Sequence, residues 1–118
     1  MTTVILSAAL LAPAPLERWQ VAQHIRDAAK AERYAISPEC VTAMADLCFR
    51  ESRYNPAAQN KRSTAYGLYQ FLNRTWDGVG IRKTSDPYLQ TLAALRYLLR
   101  RYKTPSRGNA FQRRRGWY

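Results

Sequence analysis

A capping residue stands directly before proline at Ser37-Pro38 and again at Asp86-Pro87. Proline lacks the N–H that a first helical turn leaves unused, and Ser or Asp can accept from that turn's free amides, so each pair opens a helix. Apolar residues follow both at helical spacing. After the first come Val41, Met44, Ala45 and Cys48, with Leu47 and Phe49 widening the face; after the second, Tyr88, Leu92, Leu95, Leu99 and Tyr102. An earlier helix is expected from about Leu16 to Tyr34, with Leu16, Trp19, Ala22 or Gln23, Ile25, Ala28 and Ala29 on its apolar side. Period-two alternation is weak throughout. The fold class is therefore mainly α, in a chain of 118 residues that fits one domain.

The start offers less. An apolar run from Val4 to Ala12 is too short to span a bilayer. With no positive charge ahead of it and proline at the junction, residues 1–14 read as a short core-packing helix rather than a signal peptide.

Charge limits the partners. Nineteen Lys and Arg against eight Asp and Glu leave +11, which suits a polyanion: nucleic acid, an anionic membrane or an anionic wall polymer. No nucleic-acid motif is visible, so no specific nucleic acid is expected, and no stretch reads as transmembrane. Cys40 and Cys48, placed on one helix, stand roughly 12 Å apart along its axis and cannot bridge within it. His24 is the single histidine. Neither a metal site nor a cofactor is expected, and both cysteines read as buried thiols.

One acid stands out. Continuing the Val41–Cys48 series by three places lands on Glu51, at the margin of the apolar stripe and in the last turn before Asn55-Pro56. Burial and the negative end of a helix both disfavour its charged form, as a general acid requires. The residues alone leave open a plainer role, an ion pair with Arg50, Arg53 or Arg96. Between Glu51 and Asp77 there is no other acid, but there are Ser52, Tyr54, Asn55, Tyr66, Tyr69 and Gln70. Hydroxyls, amides and aromatic faces of this kind suit sugar rings.

The pair of motifs Glu51-Ser52-Arg53-Tyr54-Asn55-Pro56-Ala57 and Gly67-Leu68-Tyr69-Gln70 resembles the SLT-type lytic transglycosylases. The closing segment, with a basic helix before Gly116-Trp117-Tyr118, is similar to such domains in phage tail tape-measure proteins. The resemblance covers about residues 37–118, leaving 1–36 as a helical segment packed on that catalytic domain. It implies a lysozyme-like fold and cleavage of the MurNAc–GlcNAc β-1,4 bond of peptidoglycan, with formation of 1,6-anhydroMurNAc. Glu51 is then general acid and base, and Ser52, Tyr66, Tyr69, Gln70 and Phe111 are substrate-binding candidates. Two departures are noted: Tyr69 stands where methionine is common, and Phe111 where many members have a tyrosine that contacts the catalytic glutamate. Phenylalanine cannot make that hydrogen bond, so either Tyr97 or Tyr102 substitutes or the site works without it.

The resemblance also sets the context. Action is expected at the bacterial wall, in the periplasm, after delivery by a phage particle or release from the host cytoplasm. Other virion or secretion-machine proteins would then be partners. The alternative is a non-catalytic, peptidoglycan-binding component of a virion or secretion apparatus.

Overall fold

The computed structural model describes residues 14–118, so the run from Val4 to Ala12 lies outside the described residues. Five helices follow in order: α1 (Arg18–Ala31), α2 (Pro38–Ser52), α3 (Asn73–Val79), α4 (Pro87–Tyr102) and α5 (Pro105–Arg115). Among the described residues only isolated β-bridges occur, Gln59 with Tyr66 and Tyr66 with Phe71. The mainly α class is what the sequence predicts.

Both cap–proline pairs work as read. Ser37 accepts from the Cys40 amide and Asp86 from the Leu89 amide. A third such start, Thr104-Pro105, opens α5, where Thr104 accepts from the Arg107 amide.

Helix α1 lies against α4 and α2, and α5 closes over both α2 and α4. The core between them holds Val21, Ile25, Ala28, Met44, Leu47, Cys48, Leu68, Leu95 and Leu98. The face of α1 differs from the expected one. Trp19 is 69% exposed, and Val21 takes the buried position instead. Two residues apart on a helix is about 200° of rotation, so the two cannot share a face. On α4 the expected line shifts similarly. Thr91, Ala94, Leu95 and Leu98 are at its centre, while Tyr88, Leu92, Leu99 and Tyr102 flank it half-buried. Small residues at 93 and 94 let α4 approach its neighbours closely. Both cysteines are free and buried.

Between α2 and α3 runs an irregular segment that carries both motifs. Arg53 and Tyr54 are consecutive residues in the left-handed region, at φ 51° and 66°, which turns the chain sharply off the end of α2. Tyr54 is held there by Arg18, whose Nη1 donates to its hydroxyl at 2.8 Å, and by the Leu16 amide on its carbonyl. Asn55 Oδ1 then accepts from the Ala57 amide, fixing the turn around Pro56.

Buried Gln90 of α4 ties this turn to the second motif. Its Oε1 accepts from the Leu68 amide at 2.9 Å, and its Nε2 donates to the carbonyls of Pro56 and Thr84, each at 2.8 Å. Gly67, at φ 89°, sits so close that an added Cβ would lie 2.5 Å from Gln90 Nε2. The two motifs therefore meet because one side chain of α4 holds both loops.

Candidate active site

Glu51 sits in the last turn of α2, half-buried, at a cavity of about 200 Å³. Gln70, Thr75, Tyr97 and the closing Gly116–Tyr118 segment share the lining, and no other Asp or Glu does. The plainer role for Glu51 does not materialise. Among the described residues the ion pairs are Arg18–Asp46 and Arg96–Glu32. Glu51 is instead held by an amide: Gln112 Nε2 on α5 donates to Glu51 Oε2 at 2.9 Å.

That amide has a defined orientation. Arg50 Nε donates to Gln112 Oε1 at 2.6 Å, and Arg50 Nη2 donates to Asn109 Oδ1. A guanidinium has only donors, so it must face the oxygen end of the glutamine, and the NH₂ end is left for the carboxylate. Gln112 and Asn109 are both buried. The Glu51 pKa is raised by burial, which outweighs two opposing effects, the Gln112 hydrogen bond and the nearby charge of Arg50. Such a carboxyl keeps its proton further toward neutral pH than an exposed glutamate, while a polarised amide stays ready to receive the anion.

The expected sugar contacts separate in the structure. Gln70 lines the cavity; its φ is 53°, and its Nε2 donates to the carbonyls of Ala58 and Gly67, leaving Oε1 as the free end. Ser52 is buried and its Oγ donates back to the Cys48 carbonyl at 3.1 Å, within its own helix. Tyr69, expected beside the sugar, lies in the core at 2% exposure, next to Cys48, whose pKa burial pushes up to about 12. Tyr66 belongs to the two bridges, with the Lys83 ammonium 5.4 Å from its ring centre. Phe111 packs on Tyr102 and edge-on against Trp117, with ring centres 5.3 and 4.9 Å apart.

Of the two tyrosines expected to stand in for the one missing at 111, Tyr97 lines the cavity and Tyr102 does not. The group that bonds Glu51 is neither. It is Gln112, one place beyond Phe111 and about 100° further round α5. The residues that sequence reasoning passes over are thus Asn109 and Gln112, while it names Arg50 only as an ion-pair partner and Tyr118 only within the closing segment. Tyr118 folds back to donate from its hydroxyl to the Tyr69 carbonyl at 2.6 Å, packing on Phe71 and Tyr97. A signal for Gln112 does exist. Pro105, Gly108, Asn109 and Gln112 follow the i, i+3, i+4, i+7 spacing of a buried face, filled with small and polar residues instead of apolar ones.

The family profile described as Transglycosylase SLT domain matches residues 27–112, well over half of the chain and including both motifs. The chain belongs to the SLT transglycosylase family. The family's members are lytic transglycosylases, and its substrate is the peptidoglycan of the cell wall. The five-helix arrangement is compatible with the lysozyme-like SLT fold. No curated protein and no solved structure matches the chain. Among the described residues no helix is long and apolar enough to cross a membrane.

Proposed function

We propose that this SLT domain cleaves the MurNAc–GlcNAc bond with Glu51 as its one acid and base, releasing 1,6-anhydroMurNAc ends. The observation that carries this reading is the solitary carboxyl in the cavity, half-buried and bonded by an oriented amide. Hydrolysis by two carboxylates needs a second acid flanking the bond, and none lines this cavity.

One carboxyl suffices if the sugar supplies its own nucleophile. Glu51 gives its proton to the glycosidic oxygen, and the C1–O4 bond breaks to leave a GlcNAc 4-hydroxyl. The resulting carboxylate, stabilised by Gln112 Nε2–H, takes the proton of the MurNAc 6-hydroxyl as that oxygen bonds to C1. The carboxyl is thereby restored and no water is consumed. Gln70 Oε1 is the group best placed to accept from a sugar hydroxyl. Ser52 and Tyr69 support the site through the backbone and the core, and Phe111 supports it through Trp117.

The tape-measure-like ending, here Gly116-Trp117-Tyr118, supports a phage-delivered enzyme for wall penetration or lysis. Purified sacculi digested with the wild-type chain should release muropeptides, and Glu51→Gln should release none while still sedimenting with the wall. If wild type and variant both bind and neither releases product, the chain is a binding component and the catalytic reading fails.

A further inference from the structure

The Glu51 cavity does not end at Tyr97. It continues into a larger groove of about 610 Å³, and the two share Leu72, Thr75, Tyr97, Trp117 and Tyr118. This extension is walled by Arg74 of α3 and by Arg100 and Arg101 of α4, with no Asp or Glu among its lining residues. All three arginines are exposed, and none takes part in either ion pair among the described residues. Arg100 Nη1 donates to the Gly78 carbonyl, which ties α4 to α3 across the groove floor, and Arg101 Nε donates to the Tyr102 hydroxyl. Each leaves most of a five-donor guanidinium unused. Arg74 and Arg101 both lie close enough to Tyr97 for their charges to oppose the rise that burial imposes on its pKa. At the mouth stands Trp117, 54% exposed and steadied edge-on by Phe111.

We propose that this arginine-walled groove is a second binding site, taking the carboxylates of the stem peptides that hang from the glycan strand in the Glu51 cavity. The inference rests on the peptidoglycan reading above. Three cations lining one groove, with no acid among its lining residues, call for an anion. Continuity with the cavity makes an anion borne by the same polymer the fitting one. Planar guanidinium forks match carboxylate geometry, while Trp117 offers a flat face to a sugar or to a side chain at the junction. The groove would thus favour strands whose stem peptides keep free carboxylates over strands whose carboxylates are amidated.

The test uses the full chain carrying Glu51→Gln, so that binding is read without turnover. Soluble glycan strands with intact stem peptides are compared with the same strands after their carboxylates have been capped as amides. The uncapped strands should bind roughly tenfold tighter, the scale expected of three exposed ion pairs together. That preference should shrink as salt shortens the screening length. Adding Arg74→Gln, Arg100→Gln and Arg101→Gln should erase the preference while leaving affinity for capped strands unchanged, and lysine at all three positions should keep most of it.

Equal binding of capped and uncapped strands would overturn the proposal. So would an equal loss on both strands in the glutamine variant, or a single-stranded oligonucleotide bound through these arginines as tightly as the uncapped strands. Because the Glu51→Gln chain does no chemistry, failure here leaves the catalytic proposal standing. A wild-type chain that releases no product would sink that proposal without deciding this one.

Discussion

Gln112 and Arg50 together decide what Glu51 can do. Burial raises the Glu51 pKa, and the Gln112 hydrogen bond and the Arg50 charge each pull it back. If Glu51 must be protonated to donate, activity is lost as pH rises through its pKa. Removing the Gln112 bond stabilises the ionised form less, so the pKa rises further. The alkaline limb of the rate profile should therefore move to higher pH in Gln112→Leu. Arg50→Met should move it the same way, since it removes a nearby positive charge and frees the glutamine to turn its oxygen toward the carboxyl. Both should also lower kcat, by roughly 10–100-fold, because the carboxyl loses its fixed position. Rate–pH profiles of the two variants check this. A lowered rate with an unmoved alkaline limb would reduce both residues to packing.

At the scale of elements, the site depends on how α4 and α5 hold the ends of α2. Gln90 satisfies a buried amide on one motif and a buried carbonyl on the other. Leucine at 90 would fill similar space but leave the Leu68 amide and the Pro56 carbonyl without partners. Gln90→Leu should therefore cost about 2–4 kcal/mol of stability, read by urea unfolding. Gly67→Ala should be destabilising too, since its Cβ would meet Gln90 at 2.5 Å in a backbone conformation that side chains rarely adopt.

How much of this was legible depends on range. Ser37-Pro38 and Asp86-Pro87 announce their helices because capping is a matter of neighbours, and Glu51 is visible because it continues the period of its own helix. The Gln112 contact to Glu51 spans 61 positions and Gln90 to Pro56 spans 34. Local spacing puts Gln112 on a buried face, but nothing local pairs it with Glu51 or Gln90 with Pro56. Tyr69 misleads for a related reason. Its motif neighbour Gln70 lines the cavity, and a single step along the chain sends the Tyr69 ring into the core.

For the whole molecule, the charge of +11 is unevenly used. Arg18 and Arg96 are consumed in ion pairs and Arg50 in orienting an amide, whereas Arg74, Arg100 and Arg101 face an open groove. The tail contributes as well. Trp117 and Tyr118 close one side of both the cavity and the groove, so the last residues of the chain complete a site begun at Glu51. Helices α2, α3 and α4 and the segment that follows α5 all supply lining to this one depression. Its chemistry is thus a property of their packing and not of any single motif.

One carboxyl suffices at Glu51 only if water is not a reactant. Digestion of peptidoglycan in ¹⁸O-labelled water, followed by mass spectrometry of the released muropeptides, tests it most directly. The products should end in 1,6-anhydroMurNAc, lighter by one water than the reducing-end sugars and free of label. Labelled reducing ends would contradict it, showing that water and not the MurNAc 6-hydroxyl attacks C1.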